Sequence, residues 1–486
     1  MDDIEDIVGV EGLSLESKDN SNKPQLLQVH GSQAKSKDDV AAAEEAVGLV
    51  PGVEKVWMQT FGCAHNISDG EYMKGALKTY GYTVTDKRED AQVWVINSCT
   101  VKDPSQASFM RVVTEGKDKG KGVVVAGCVP QADRKLKGLE DVSMIGVSQI
   151  ENIVSVVEDT AKGNTVKMLG KAKALPSLSM PKIRKNRLIE IVPVSTGCLG
   201  SCTYCKTKHA RGKLGSYTLE ALETRIKNVL QEGEVREIWL ASEDTGAYGR
   251  DLGTNIAELL KRLCKTVEQY GSEETMLRLG MTNPPYMMAH LDQIAEALRH
   301  QNVFKFLHIP VQSGSDNVLE GMNREYTCKE FRRVCDFLLK YVPGMTIATD
   351  IICGFPGETE EDFQETMQLV KDYKFPVLNI SKFYARPGTP AAKMKRVPTE
   401  IAKRRSKELT ELFESYTCYE KYIGQTVPVW FSTEIGKNKA EMIEQSVGHT
   451  REYIKTVVPR DDSLIGKKAL VKIESASKFH LSGYVI

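Results

Sequence analysis

With 486 residues, 41% of them hydrophobic and 27% charged, the chain is long enough for two to four globular cores. Its 65 basic and 65 acidic residues cancel, so net charge points to no partner and only the distribution of charge can. Eleven cysteines in so long a chain do not form a secreted disulfide framework. No apolar run approaches the roughly 18 residues of a membrane span, and the acidic start MDDIEDIV is unlike a basic leader. The expectation is a cytosolic chain with reduced thiols.

Residues 1–50 carry eleven acidic residues against four lysines, and no aromatic side chain. Such a stretch buries too little apolar surface to offset its ordering entropy, so a disordered acidic tail is expected, with a short helix at its start. Residues 53–162 alternate short apolar runs with helical periodicity. Strands are expected at 53–59, 92–96, 122–126 and 142–145, and helices at 68–80, 104–117, 131–136 and 149–162. That order predicts an open parallel sheet flanked by helices. Cys63, Cys99 and Cys128 each stand just past an expected strand, in FGCAHN, NSCT and GCVP. Such loops share one sheet edge, where ligands gather. The residues alone leave two readings open: thiols converging on a ligand, or inert buried cysteines.

Residues 163–183 form an expected linker, which runs into a basic stretch. From 182 to 213 the basic residues outnumber the single acidic one to give a net +7. A nucleic acid approaching this segment is one reading, a solvated basic face the other. Within it lies Cys198-Leu199-Gly200-Ser201-Cys202-Thr203-Tyr204-Cys205, at the end of the apolar run 188–194. Structural zinc is normally closed by four protein ligands, whereas three thiolates leave one coordination position open. Incidental or zinc-binding cysteines are the plain alternative.

Across 184–416, strands are expected at 188–194, 237–241, 276–281, 304–310, 346–353 and 377–384, with helices at 218–231, 255–269, 288–299, 329–341 and 360–373. Six β/α units in series predict a partial parallel barrel with its chemistry at the strands' C-terminal ends. Those ends carry small polar residues and glycines, as in SEDTG, TNPP, VQSGS and CGFPGE, which let backbone approach a ligand. Cys264, Cys328, Cys335 and Cys418 lie in helical patterns without ligand spacing and are expected in the core. Residues 417–486 turn to short alternating runs at 427–431, 440–446, 453–458, 469–473 and 481–486, the pattern of a small β-barrel.

Together FGCAHNISDGEYM, NSCTVK, AGCVPQA, TGCLGSCTYC, HIPVQSGSDNVLEGMNREY, TDIICGFPGET and FYARPGTPA resemble the radical S-adenosylmethionine (SAM) tRNA methylthiotransferase family over about residues 53–486. CTYCKTKHARGKLGSY and LRLGMTNPP are similar to its eukaryotic and archaeal branch, which acts on N6-threonylcarbamoyladenosine at position 37 of tRNA. The resemblance implies an α/β chain: an N-terminal open parallel-sheet domain, a partial (β/α)6 radical-SAM barrel and a C-terminal TRAM barrel. It implies that Cys198, Cys202 and Cys205 bind a [4Fe–4S] cluster coordinating SAM, and that Cys63, Cys99 and Cys128 bind a second. Tyr204 would lie near the SAM adenine, Ser242-Glu243-Asp244 at its amino group (relatives usually have Gly-Gln-Asn), and Gly354 to Glu358 beside the adenosine.

The implied enzyme is a tRNA (N6-threonylcarbamoyladenosine(37)-C2)-methylthiotransferase. By family analogy, SAM cleavage yields a 5′-deoxyadenosyl radical, a second SAM methylates sulfur at the auxiliary cluster, and the methylthio group passes to adenine C2. The cofactors carry this reactivity, so no catalytic side chain is assigned. Lys206, Lys208 and Arg211, with the C-terminal barrel, are expected to hold the tRNA backbone while the base is presented unstacked. An unidentified electron donor and sulfur source complete the expected partners. Rival readings are a methylthiotransferase acting on isopentenyladenosine-37 or on a protein, and a zinc-containing, non-catalytic tRNA-binding protein. Animal relatives carry a C-terminal membrane tail. The expected place is therefore the cytoplasm, or the cytosolic face of the endoplasmic reticulum if a tail is missing after Ile486.

Overall fold

Val93–Ser98 is buried at every position and Gly122–Gly127 at all but the first. Such unbroken burial belongs to strands covered on both faces, the habit of parallel sheets. In the computed structural model, which describes residues 54–486 except 101, 102, 171, 173 and 439–442, these two strands are the centre of a six-stranded parallel sheet. The acidic tail expected at 1–50 lies outside the described residues. The strands are β1 (Lys55–Thr60), β2 (Thr83–Thr85), β3 (Val93–Ser98), β4 (Gly122–Gly127), β5 (Ser143–Gly146) and β6 (Lys167–Met168), in the order β2-β1-β3-β4-β5-β6. Helices α1 (Ala64–Tyr80), α2 (Asp103–Asp118), α3 (Cys128–Ala132) and α4 (Ile153–Ala161) connect them.

Sequence reasoning misses β2 and β6, edge strands of three and two residues, too short for alternation to register. The helix expected at 131–136 is instead α3. Gly127, at φ +91°, turns β4 directly into it and makes Cys128 its first residue.

Six further strands form two three-stranded parallel sheets. The first is β7 (Ile189–Pro193), β8 (Glu237–Ala241) and β9 (Met276–Arg278); the second is β10 (Phe306–His308), β11 (Thr346–Cys353) and β12 (Val377–Lys382). A bridge between Leu277 and Val303 joins them into one partial barrel. Outer residues such as Val192, Ile238, Leu240 and Leu277 share a core with the surrounding helices. Alternation along β7 and β8 puts Ile189, Ile191, Trp239 and Ala241 on the inner face, where Ile67 of α1 packs against them. The Ser68 hydroxyl donates to the Ile191 carbonyl at 3.2 Å. Helix α1 thus fastens the N-terminal sheet to the β7 flank.

The C-terminal strands β13 (Thr426–Asn438), β14 (Ile443–Thr450), β15 (Lys455–Pro459), β16 (Lys468–Ala476) and β17 (Leu481–Val485) close into a barrel in the order β13-β14-β15-β17-β16. It sits on the N-terminal rim of the partial barrel. Arg236 Nε donates to Gly466 O at 3.0 Å, and Trp430 and Tyr453 pack against Phe304 and Phe306. That rim is opposite the strand ends that lead into the cysteine triplet. Cys264 and Cys335 are core residues as expected, and Cys328 packs partly buried against the same core, but Cys418 lies in the loop after the helix Thr399–Glu414, partly exposed, its sulfur 3.2 Å from Lys374 O. No described helix is long and apolar enough to cross a membrane.

Candidate functional site

Beyond β7, Ser195–Thr196 pairs antiparallel with Gly215–Ser216, so residues 197–214 form a loop over the strand ends. Gly197 has φ +76°, and a Cβ there would meet Lys213 O at 2.2 Å. Only glycine allows this neck to close. A Cβ on Gly200 would lie 3.7 Å from Cys198 Sγ and 3.9 Å from Cys202 Sγ, so both sulfurs border one small space. Thr207 N–H approaches Cys205 Sγ at 3.4 Å, and Arg324 Nη1 donates to Cys202 Sγ at 3.3 Å. Tyr204 stands edge-on to Phe355, ring centres 6.4 Å apart. Lys208 Nζ donates to Leu199 O, Gly200 O and Ser201 Oγ at 2.9–3.1 Å and staples the loop.

Burial pushes the Cys198 thiol up to about 12, with Asp244 adding to the shift. A metal reverses that logic, because a coordinating thiol gives up its proton. Burial likewise pushes Asp244 up to about 6, against hydrogen bonds from Asn283, whose Nδ2 lies 2.8 Å away. Asn283 also accepts from Arg324, which completes the chain Asp244–Asn283–Arg324–Cys202.

The second cysteine set gathers at the C-terminal edge of the six-stranded sheet. Cys63 precedes α1, Cys99 follows β3 and Cys128 opens α3. A Cβ on Gly62 (φ +96°) would fall 2.5 Å from Cys99 Sγ, so the Cys63 loop lies directly on Cys99. Cys128 packs with Ala210 of a short helix, α5 (Thr207–Arg211), that follows the triplet. Burial pushes its thiol up to about 12, and Cys99 adds to the effect. Among the described residues no three His, Cys, Asp or Glu side chains close on one point as they would around a single ion.

Several of the residues expected at SAM or tRNA have partners within the chain. Arg211 was expected on the tRNA backbone, but its side chain is 2% exposed. Its Nη2 lies 2.7 Å from Asp69 Oδ2 and its Nε 3.0 Å from Glu243 Oε1. Glu243 also meets His65 Nδ1 at 2.8 Å, so it faces the second cysteine set, and Asp244 is the acidic neighbour of Cys198. Ser242 Oγ accepts from Asp244 N–H. Lys206 Nζ lies 3.8 Å from Asp133. Gly354 N–H donates to Glu358 Oε2 at 2.7 Å, and Arg405 reaches the same oxygen at 2.7 Å. That pair locks its loop onto the helix Thr399–Glu414. Part of the +7 stretch is also offset by carboxylates outside it, since Lys182 is buried against Glu71 as well as Glu190, and Arg184 pairs with Glu232 as well as Glu190.

Sequence reasoning missed Arg324, Asn283 and His65 as site residues, and held Phe355 only as part of the span Gly354 to Glu358. Each lies inside a motif already singled out, MNREY, TNPP, GFPGE and GCAHN, but no spacing rule marks them.

A Radical SAM superfamily match spans residues 192–370, and one to the uncharacterized protein family UPF0004 spans 55–145. The threonylcarbamoyladenosine tRNA methylthiotransferase of Xenopus laevis is 49% identical over 490 residues, covering 99% of this chain and 86% of the relative. The Homo sapiens protein of that name is 48% identical, covering 99% and 83%. A probable threonylcarbamoyladenosine tRNA methylthiotransferase of Pyrococcus abyssi is 35% identical, covering 89% and 99%. Among solved structures, the radical S-adenosylmethionine methyltransferase TsrM of Kitasatospora setae, with tryptophan substrate and a SAM analogue, shares the fold. Its TM-score is 0.51 at 13% identity, over 70% of this chain and 75% of that one.

Proposed function

The chain belongs to the threonylcarbamoyladenosine tRNA methylthiotransferase family, and we propose from that membership that it methylthiolates C2 of N6-threonylcarbamoyladenosine at position 37 of tRNA. The observation that carries this reading is the pair of three-cysteine sets, on two folding units, joined by α5 and the Arg211–Glu243–His65 contacts. In this reading residues 53–162 hold the auxiliary cluster, 184–416 the SAM-binding cluster, and 417–486 a TRAM barrel. Bound SAM and [4Fe–4S] clusters supply the one-electron reactivity that no side chain offers against an unactivated C–H bond.

The chain's own residues hold and shield. Cys198, Cys202 and Cys205 ligate one cluster, and Cys63, Cys99 and Cys128 the other, each set leaving one iron for a ligand from outside the protein. Arg324 and the Thr207 amide direct N–H groups at two of the sulfurs. Tyr204 and Phe355 form an aromatic wall beside the triplet for the SAM adenine, and of the three residues Ser242-Glu243-Asp244 expected at the SAM amino group, Asp244 takes that role. The tRNA, an electron donor and a sulfur source are the partners, and the cytosol is the place of action.

Anaerobic iron and sulfide analysis with Mössbauer spectra tests the reading. The intact chain should hold about eight irons and a Cys198/Cys202/Cys205→Ala protein about four. Mass spectrometry of digested tRNA should then show the 2-methylthio product. Zinc in place of iron, or loss of all iron from the triple variant, would overturn the two-cluster reading.

A further inference from the structure

Arg211 stands where the two cysteine sets meet. It ends α5, six residues after Cys205, and the preceding residue, Ala210, packs on Cys128. Its guanidinium bridges Asp69 of α1 and Glu243 beyond β8, and Glu243 holds His65, two residues after Cys63. All four side chains are buried to more than nine-tenths. Cys63 and Cys128 both lie within electrostatic reach of the same guanidinium. Two carboxylates beside thiolate ligands would repel any further negative charge, and a buried cation at their centre offsets them.

We propose that Arg211 is a positioning residue that fixes the Cys63 loop against the partial barrel and, through its charge, raises the reduction potential of the cluster held by Cys63, Cys99 and Cys128. The inference rests on the two-cluster reading above. Reduction adds an electron, so a neighbouring cation stabilises the reduced cluster and a neighbouring carboxylate opposes it. Net charge and hydrogen bonding around the sulfurs are the protein's levers on such potentials. Arg211 and Glu243 therefore act with opposite signs, which a purely structural role for either does not predict.

The test uses the full chain with Cys198, Cys202 and Cys205 replaced by alanine, so that a single cluster is titrated. Redox titration followed by electron paramagnetic resonance should give a lower midpoint potential for Arg211→Met and a higher one for Glu243→Gln. Arg211→Lys, which keeps the charge, should recover most of the loss. Where Arg211→Met fails to retain iron, Glu243→Gln still decides the sign, and Arg211→Lys should hold the potential near that of the unsubstituted background. Four irons with unchanged potentials in Glu243→Gln, or a shift of the wrong sign, overturn the role of Arg211 while leaving the two-cluster reading intact. A background that holds no iron with Arg211 present overturns that reading, and this inference with it.

Discussion

Arg324 reaches the Cys202 sulfur with Nη1 at 3.3 Å, while Nη2 donates to Pro310 O at 3.1 Å and also meets Asn283. The guanidinium is planar and fixed at both ends, so it holds the sulfur in one direction. Hydrogen bonds to charged groups are worth about 1.5–3 kcal/mol, roughly a 10- to 100-fold effect. Arg324→Met should therefore weaken iron retention at the triplet by at least tenfold in a chelator competition, and lower that cluster's potential. A variant with undiminished iron retention would show the contact to be incidental.

Glu358 and Arg405 make a second specific pair, their side chains 2% and 4% exposed. Gly354 shares it: its φ is +76°, a Cβ there would lie 2.5 Å from Ala402 Cβ, and its N–H donates to Glu358. Breaking one partner of a buried pair costs about 3–5 kcal/mol. Arg405→Met should lower the denaturation midpoint accordingly, and a Glu358→Leu/Arg405→Met double variant should lose less than the sum of the single changes. SAM affinity of the folded Glu358→Gln protein should change less than about threefold, or well under 1.4 kcal/mol. A tenfold loss of affinity at unchanged stability would instead place the Glu358 carboxylate in direct contact with SAM.

These two sites mark what the sequence makes legible. The strands register because β3, β4 and β8 are buried on both faces and therefore read as unbroken apolar runs. The cysteine sets register because ligand spacing and strand-end placement are properties of the chain itself. Partners from distant segments do not. Arg211 pairs with Asp69 and Lys182 with Glu71, each more than a hundred positions away, so a charge count confined to 182–213 sees cations and misses the anions that bury them. The residues at SEDTG fail for a similar reason: proximity in sequence does not say that Glu243 faces one cysteine set and Asp244 the other.

Glu237, at the start of β8, gives stability a pH dependence. Burial pushes its carboxyl up from 4.5 to about 7, against the Trp239 indole N–H at 2.7 Å and the charge of Arg278, while Glu434 adds to the rise. The folded chain thus holds a proton that the unfolded chain releases. The associated stability is complete below about 4.5, declines as pH rises, and is lost through about 7. The span is at most about 3 kcal/mol. Denaturant midpoints between pH 6 and 8 should fall for the native chain and be flatter for Glu237→Gln. Equal slopes in the two proteins would mean that Glu237 is ionised throughout.

Lys208 separates loop architecture from tRNA binding. A lysine on a phosphate releases counterions, and losing it should reduce the slope of log affinity against log salt by about 0.7–0.9. The Lys208 ammonium already donates to Leu199 O, Gly200 O and Ser201 Oγ, so its hydrogen-bonding capacity of three is filled by the cysteine loop. Lys208→Ala should therefore leave the salt slope of tRNA binding unchanged and speed iron loss from the triplet. Filter-binding titrations at several salt concentrations, run beside iron analysis of the same samples, check both halves. A slope reduced by about 0.7 or more with iron intact would place Lys208 on the tRNA backbone after all.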